Sequence, residues 1–248
     1  MISWLACPCL YLAIPDRPTI CNSLCHLLQV CDTLVNDFNA WLANGKILIV
    51  HHRRNTLDLL SLSSPSWGVE IDVRSYGDKL VVHHDPFVDS LTLEDWLKGY
   101  HHNLVILNTK EEGLEDRLLQ LMVQHQIENF FFLDQSFPFL LKTARSGESR
   151  CAVRVSEYES VDTALTLAGM VQWVWVDVFT RFPLNRESYN CLKNAGFKLC
   201  LVSPELQGQS LEMLTALQAQ IADLGINMDA VCTKLPQYWC GSNFKEVD

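Results

Sequence analysis

Residues Ile47–Thr56 read ILIVHHRRNT, Gly68–Pro86 read GVEIDVRSYGDKLVVHHDP, and Leu104–Lys110 read LVILNTK. Each begins with a short apolar run of strand type and closes on histidines, carboxylates, an amide or a lysine. Side chains two residues apart on a strand share a face. Glu70 and Asp72 therefore project together, as do Asn108 and Lys110, while Val69, Ile71 and Val73 take the other face. Acidic groups are rarely buried without a partner, and neighbouring carboxylates repel unless positive charge intervenes. Oxygen donors at this spacing suit a hard cation such as Mg2+ or Ca2+. His52 closes the first run, and His84 follows the second with Asp85 directly after it. Two histidines beside such a cation are the groups needed to attack a phosphate ester and protonate what leaves.

Each signal has a plainer reading. The carboxylates could form internal salt bridges, Lys110 could pair with Glu70 or Asp72, and Asn108 could only hydrogen-bond a neighbour. His51 and His83 are rivals of His52 and His84, but successive strand residues point oppositely, so one of each doublet faces any given side. His101-His102 closes a helical stretch and reads as solvated surface.

HisArg ahead of AsnThr, Glu-x-Asp, and HisAsp after a short apolar run resemble the glycerophosphodiester phosphodiesterases. The pattern is also similar to phosphatidylinositol-specific phospholipase C and sphingomyelinase D. The resemblance runs from about Lys46 to Pro236, where MDAVCTKLP (Met228–Pro236) looks like the last barrel strand of that family. It implies His52 and His84 as the acid–base pair, Glu70, Asp72 and Asn108 as ligands of one divalent cation, and Arg53 and Lys110 as phosphate contacts. Arg154, between Val153 and Val155, is a further phosphate candidate because guanidinium presents a planar fork of donors. Structural pairing with Asp134 or Asp177 is its equal alternative. The chain departs from the family at Asn108, where a third glutamate is usual, and at Arg54, where a glycine is usual after HisArg. An amide oxygen ligates without charge, so cation affinity should be lower. These departures support a rival reading, a barrel that binds a phosphorylated ligand without turning it over.

Beyond this stretch, apolar runs alternate with helical periodicity. Strands are expected to begin near Lys46, Gly68, Leu104, Asn129, Cys151, Val171, Phe197 and Met228. Helices are expected over 114–126, 160–168, 187–195 and 211–224, with only a short one in the connection 55–67. The alternation and the family resemblance together give a single (β/α)8 barrel over 46–248. The turn Tyr76-Gly77-Asp78-Lys79 folds Leu80–His83 back as a small extra strand, which brings His84 over the mouth. Trp173 and Trp175 read as barrel core. Ser203–Leu206 (SPEL) reads as a loop that selects substrate.

Residues 1–45 read as an extension followed by an amphipathic helix over 22–43, ended by Asn44-Gly45 and covering the bottom of the barrel. The opening MISWLACPCLYLAIP has no basic region, breaks at Pro15 and is too short to span a bilayer, so no stable membrane insertion is expected. Ten cysteines show no framework spacing. Those from Cys7 to Cys31, with His26, lack the paired arrangement of a zinc site, and Cys151, Cys200 and Cys232 lie in apolar runs. Reduced thiols and a cytoplasmic location follow. An apolar fraction of 48% supports a core, and a net charge of −10 argues against a nucleic-acid partner. The expected partner is a small phosphodiester.

Overall fold

The computed structural model describes residues 47–240. The expected N-terminal extension, its helix and the cysteines from Cys7 to Cys31 lie outside the described residues. Within them, strands and helices alternate: β1 (Leu48–His51), α1 (Leu57–Ser61), β2 (Gly68–Tyr76), β3 (Lys79–Val82), α2 (Leu93–Leu97), β4 (Leu104–Thr109), α3 (Glu115–Gln124) and β5 (Phe130–Leu133). There follow α4 (Phe137–Arg145), β6 (Ala152–Val155), α5 (Val161–Leu165), β7 (Trp173–Val176), α6 (Arg186–Asn194), β8 (Lys198–Val202), α7 (Leu211–Asp223) and β9 (Ala230–Thr233).

Eight of these strands run parallel in the lateral order β5, β4, β2, β1, β9, β8, β7, β6. The two ends of the sheet meet through one isolated bridge, Phe132 to Cys151. This is a (β/α)8 barrel, with strands at the expected places. The first, sixth and eighth begin two residues late, at Leu48, Trp173 and Ala230, with Val171 and Met228 buried just before the last two. The ninth strand, β3, pairs antiparallel with β2 in the register Val73↔Val82 and Tyr76↔Lys79. Gly77 makes that hairpin possible with φ +61, a conformation a side chain disfavours.

The alternation along each strand separates two cores. Outward residues such as Ile49, Val69, Ile71, Val105 and Leu107 pack beneath the helices. Inward residues, among them Val50, Ile106, Phe131, Trp173, Trp175 and Cys200, fill the tube. Phe131 and Trp173 stack across it with centroids 4.7 Å apart, a contact worth about 1 kcal/mol beyond its buried area. Gly68 sits where a Cβ would come within 3.1 Å of both the Leu104 Cβ and a Val50 methyl, so any side chain there would push these neighbours apart by a few tenths of an ångström. Above this apolar plug the inward positions turn polar. The register Asp72↔Asn108 sets those two side chains beside each other on adjacent strands.

Candidate active site

At the end of β1 the two histidines part. His51 is buried on the outer side, bonded through Nδ1 to Ser63 Oγ at 2.9 Å and set edge-on to Trp67. Burial, with Arg54 and His102 nearby, pulls its imidazole down to about 4. His52 turns inward, its Nε2 3.7 Å from Glu70 Oε2. Burial, then Arg53 and Lys234, pull His52 down to about 3 against the opposing pull of Asp72. It is a neutral, proton-accepting imidazole at neutral pH, and its Nδ1 is buried without a hydrogen-bond partner.

Arg53 takes φ +54, rare for a residue with a side chain. The bend sends its backbone N–H to Glu70 Oε2 at 2.8 Å and its Nε to Asp72 Oδ2 at 3.2 Å. Arg54 turns back on the preceding backbone. Its Nε donates back to the His52 carbonyl at 3.0 Å, and its own carbonyl accepts from Trp96 Nε1 at 2.8 Å. Asn55 was not singled out from the sequence, although Asn-Thr formed part of the quoted motif. It accepts from the Asp72 backbone N–H and donates to Asp72 Oδ2 at 2.8 Å, which locks that carboxylate.

Glu70 and Asp72 are each 1% exposed. Burial and the neighbouring Asp72 charge push the Glu70 carboxyl up to about 7, although Asn108 and the Arg53 N–H oppose the shift. Asn108 donates Nδ2 to Glu70 Oε1 at 2.9 Å. Lys110 sits 3.2 Å from Asp72 Oδ1, so the ion pair weighed for it from sequence is present. Among the described residues no three His, Cys, Asp or Glu side chains form a metal-ligating group. The available donors are two carboxylates and one amide. They suit a hard cation: Asn108 Oδ1 is buried without a partner, and turning the amide about its last bond would aim that oxygen toward Glu70.

His84 stands over the mouth on the connection that follows β3. Its backbone carbonyl accepts from Arg74 Nε at 2.8 Å, and Arg74 Nη1 reaches the Lys110 carbonyl at 3.1 Å. The His83 N–H donates to the Asp72 carbonyl at 3.0 Å, so the loop is pinned to β2 and β4. His84 Nδ1 pairs with Asp85 Oδ1 at 2.8 Å, and its side chain is partly open to solvent. His83 instead engages the Asp85 backbone. Of the third doublet, His101 is exposed but His102 is half-buried, with Nε2 3.1 Å from the Ser63 carbonyl. The expectation of a solvated pair therefore holds only for His101, since α2 ends early and the chain turns back against Ser63.

On the far side of the mouth Arg154 makes both pairings weighed for it. Its guanidinium bonds Asp134 and reaches Asp177 Oδ2 at 2.7 Å, with Glu159 3.8 Å away. Asp134, at φ +61, also lies 3.4 Å from Lys110 Nζ. A chain of ion pairs thus runs from Asp72 through Lys110 and Asp134 to Arg154. From sequence Asp134 was weighed as a partner of Arg154, but not as a contact of Lys110. In the SPEL segment, Glu205 bonds Ser203, Thr233 Oγ1 at 2.5 Å and the Lys234 N–H at 3.0 Å. That carboxylate ties β8 to β9.

Solved structures of similar shape include a putative glycerophosphoryl diester phosphodiesterase from Agrobacterium tumefaciens str. C58 (TM-score 0.54, 15% identity, 78% of this chain and 95% of that one). A second, titled glycerophosphodiester phosphodiesterase from the same strain, aligns at TM-score 0.55 and 15% identity, over 78% of this chain and 97% of the other. A glycerophosphoryl diester phosphodiesterase from Parabacteroides distasonis aligns at TM-score 0.56 and 17% identity, over 81% and 88%. No family model and no curated protein sequence matches the chain. At these identities the likeness establishes the fold.

Proposed function

We propose that this chain is a phosphoric diester hydrolase of the glycerophosphodiester phosphodiesterase kind, acting on a glycerophosphodiester or a related lipid-derived diester. The observation that carries the reading is the convergence of His52, Arg53, Glu70, Asp72, Asn108 and Lys110 at the C-terminal mouth of one barrel, where such folds hold their chemistry. The structural likeness to three glycerophosphodiester phosphodiesterases supports it.

Arg53 and Lys110 draw the anionic phosphoryl group into the mouth and neutralise its oxygens. Arg154, shared among carboxylates, enters by holding Asp134 beside Lys110. One of His52 and His84 takes the proton of the attacking water, or of a substrate hydroxyl in the cyclising variant, as the new P–O bond forms. The other gives its proton to the departing alkoxide as the ester P–O bond breaks. Water and the diester become a monoester and an alcohol. Glu70, Asp72 and Asn108 would hold one divalent cation, Mg2+ or Ca2+, which supplies Lewis-acid charge to the phosphoryl oxygens when bound. Glu70 and Asp72 otherwise orient Arg53 and Lys110.

The buried thiols of Cys151, Cys200 and Cys232 support a cytoplasmic location for this activity. Among the described residues no helix is long and apolar enough to cross a membrane. The test is turnover of bis(p-nitrophenyl) phosphate and of glycerophosphodiesters, with chelator and with each of Mg2+, Mn2+ and Ca2+. Metal-restored hydrolysis is expected. Saturable binding of phosphodiesters with no turnover under any condition would replace this reading with that of a phosphate-binding barrel.

A further inference from the structure

The single bridge between Phe132 and Cys151 leaves β5 and β6 to diverge above it. A cavity of about 690 Å³ occupies the gap, within the range of roughly 300–1,000 Å³ of small-molecule sites. Leu133, Leu140, Ala152 and Val153, all nearly fully buried, form its apolar wall. Phe137 and Tyr158, 45% and 78% exposed, stand at its solvent edge. Asp134 and Arg154 also line the cavity, and Asp134 contacts Lys110. The cavity therefore borders the proposed phosphate position across the Asp134 carboxylate.

Its polar end has a definite sign. Asp134, Asp177 and Glu159 surround the one guanidinium of Arg154, and Lys110 is shared with Asp72. Carboxylates outnumber cations there, so a second anionic group on the substrate meets repulsion. The apolar wall offers no compensation for desolvating it. We infer that the β5–β6 cavity is a specificity subsite for an uncharged, apolar alcohol group of the phosphodiester, an alkyl chain or aryl ring. The inference rests on the hydrolase reading for its phosphate position but not for its binding test.

The experiment compares p-nitrophenyl alkyl phosphates from methyl to octyl, with an ω-carboxylate counterpart, on the full chain. Binding of methyl octyl phosphate against dimethyl phosphate is measured by calorimetry in parallel. Each methylene entering the cavity should raise kcat/KM about three- to fourfold until the space is filled, and the terminal carboxylate should remove the gain. Thr163→Trp, from an exposed position on α5 that faces the cavity, should cut the octyl-over-methyl ratio at least tenfold. Phe137→Ala and Tyr158→Ala should lower it severalfold. A ratio near one in the unaltered chain, or one that all three variants leave unchanged, overturns the subsite. Absence of all turnover with a retained octyl preference in binding, lost in Thr163→Trp, sinks the hydrolase reading and leaves the subsite standing.

Discussion

Asn108 donates Nδ2 to Glu70 Oε1 at 2.9 Å while its own amide oxygen is buried without a partner. The amide thus stands where a third carboxylate would alter both charge and cation affinity. Asn108→Glu should tighten Mg2+ or Ca2+ binding by about tenfold or more, because ligand charge raises affinity. Without cation the same variant should melt earlier, since three buried carboxylates repel, and added Mg2+ should restore the loss. Calorimetric titration and thermal melts check both. Unchanged or weaker binding makes Asn108 a structural partner of Glu70 and no ligand.

Asp72 accepts from Asn55 and lies beside both Arg53 and Lys110. Asp72→Asn keeps the shape and removes the charge that holds these cations. Cation affinity and turnover should both fall, and excess chelator should abolish activity in the unaltered chain. Full activity in chelator would remove the cation from the mechanism.

The histidine doublets separate activity from stability. His52→Ala and His84→Ala should each lower kcat by about 10²–10⁴-fold, the usual worth of positioned proton transfer. His51→Ala should instead lower the melting temperature, since it empties a buried site against Ser63 and Trp67, at a cost of about 1–2 kcal/mol. His83→Ala should be mild in both assays. A substrate with a very good leaving group should rescue only the variant that lacks the acid. Equal damage from His51→Ala and His52→Ala in kcat would show that the assignment within the doublet is wrong.

Lys110 and Arg154 should also part. Lys110→Met removes a phosphate contact and should lower kcat/KM by about 10²-fold with little loss of stability. Arg154→Met leaves the buried Asp177 without its guanidinium and should cost about 2 kcal/mol of stability. Its kinetic effect should be smaller and appear mainly in KM, through the slackened hold of Asp134 on Lys110. Chemical denaturation and steady-state kinetics on both variants decide the point.

Glu157 ties the connection after β7 to that after β6. Burial raises its pKa, but the N–H groups of Arg181 and Thr180 and the Thr180 hydroxyl outweigh this and hold it at about 2. Because the folded value lies below the unfolded one, its contribution is present above about pH 4.5 and is lost as pH falls toward 2. After discounting for solvent screening it amounts to about 1 kcal/mol. Glu157→Gln should therefore flatten the acid side of the stability profile, and should change it little at pH 2 or below.

The repeated apolar runs, read with the family resemblance, pointed to the parallel barrel, and the parity of GVEIDV and LVILNTK determined the side each polar residue takes. Alternation is a property of the extended backbone itself, so His52 and Glu70 face inward, and Ile71 outward, wherever the strand lies. The extra strand β3 was legible from Tyr76-Gly77-Asp78-Lys79, because that turn is local. Tertiary structure alone decided the partners. Asn108 meets Glu70 and Asp72 through strand register, Arg154 meets Asp134 and Asp177 across separate strands, and Asn55 meets Asp72 through the left-handed bend at Arg53. The cavity between β5 and β6 had no sequence signal, since it arises from a ladder that pairs at one residue and then opens. Local conformational preference travels with the residue, whereas the compensation of a buried charge depends on which distant strand arrives beside it.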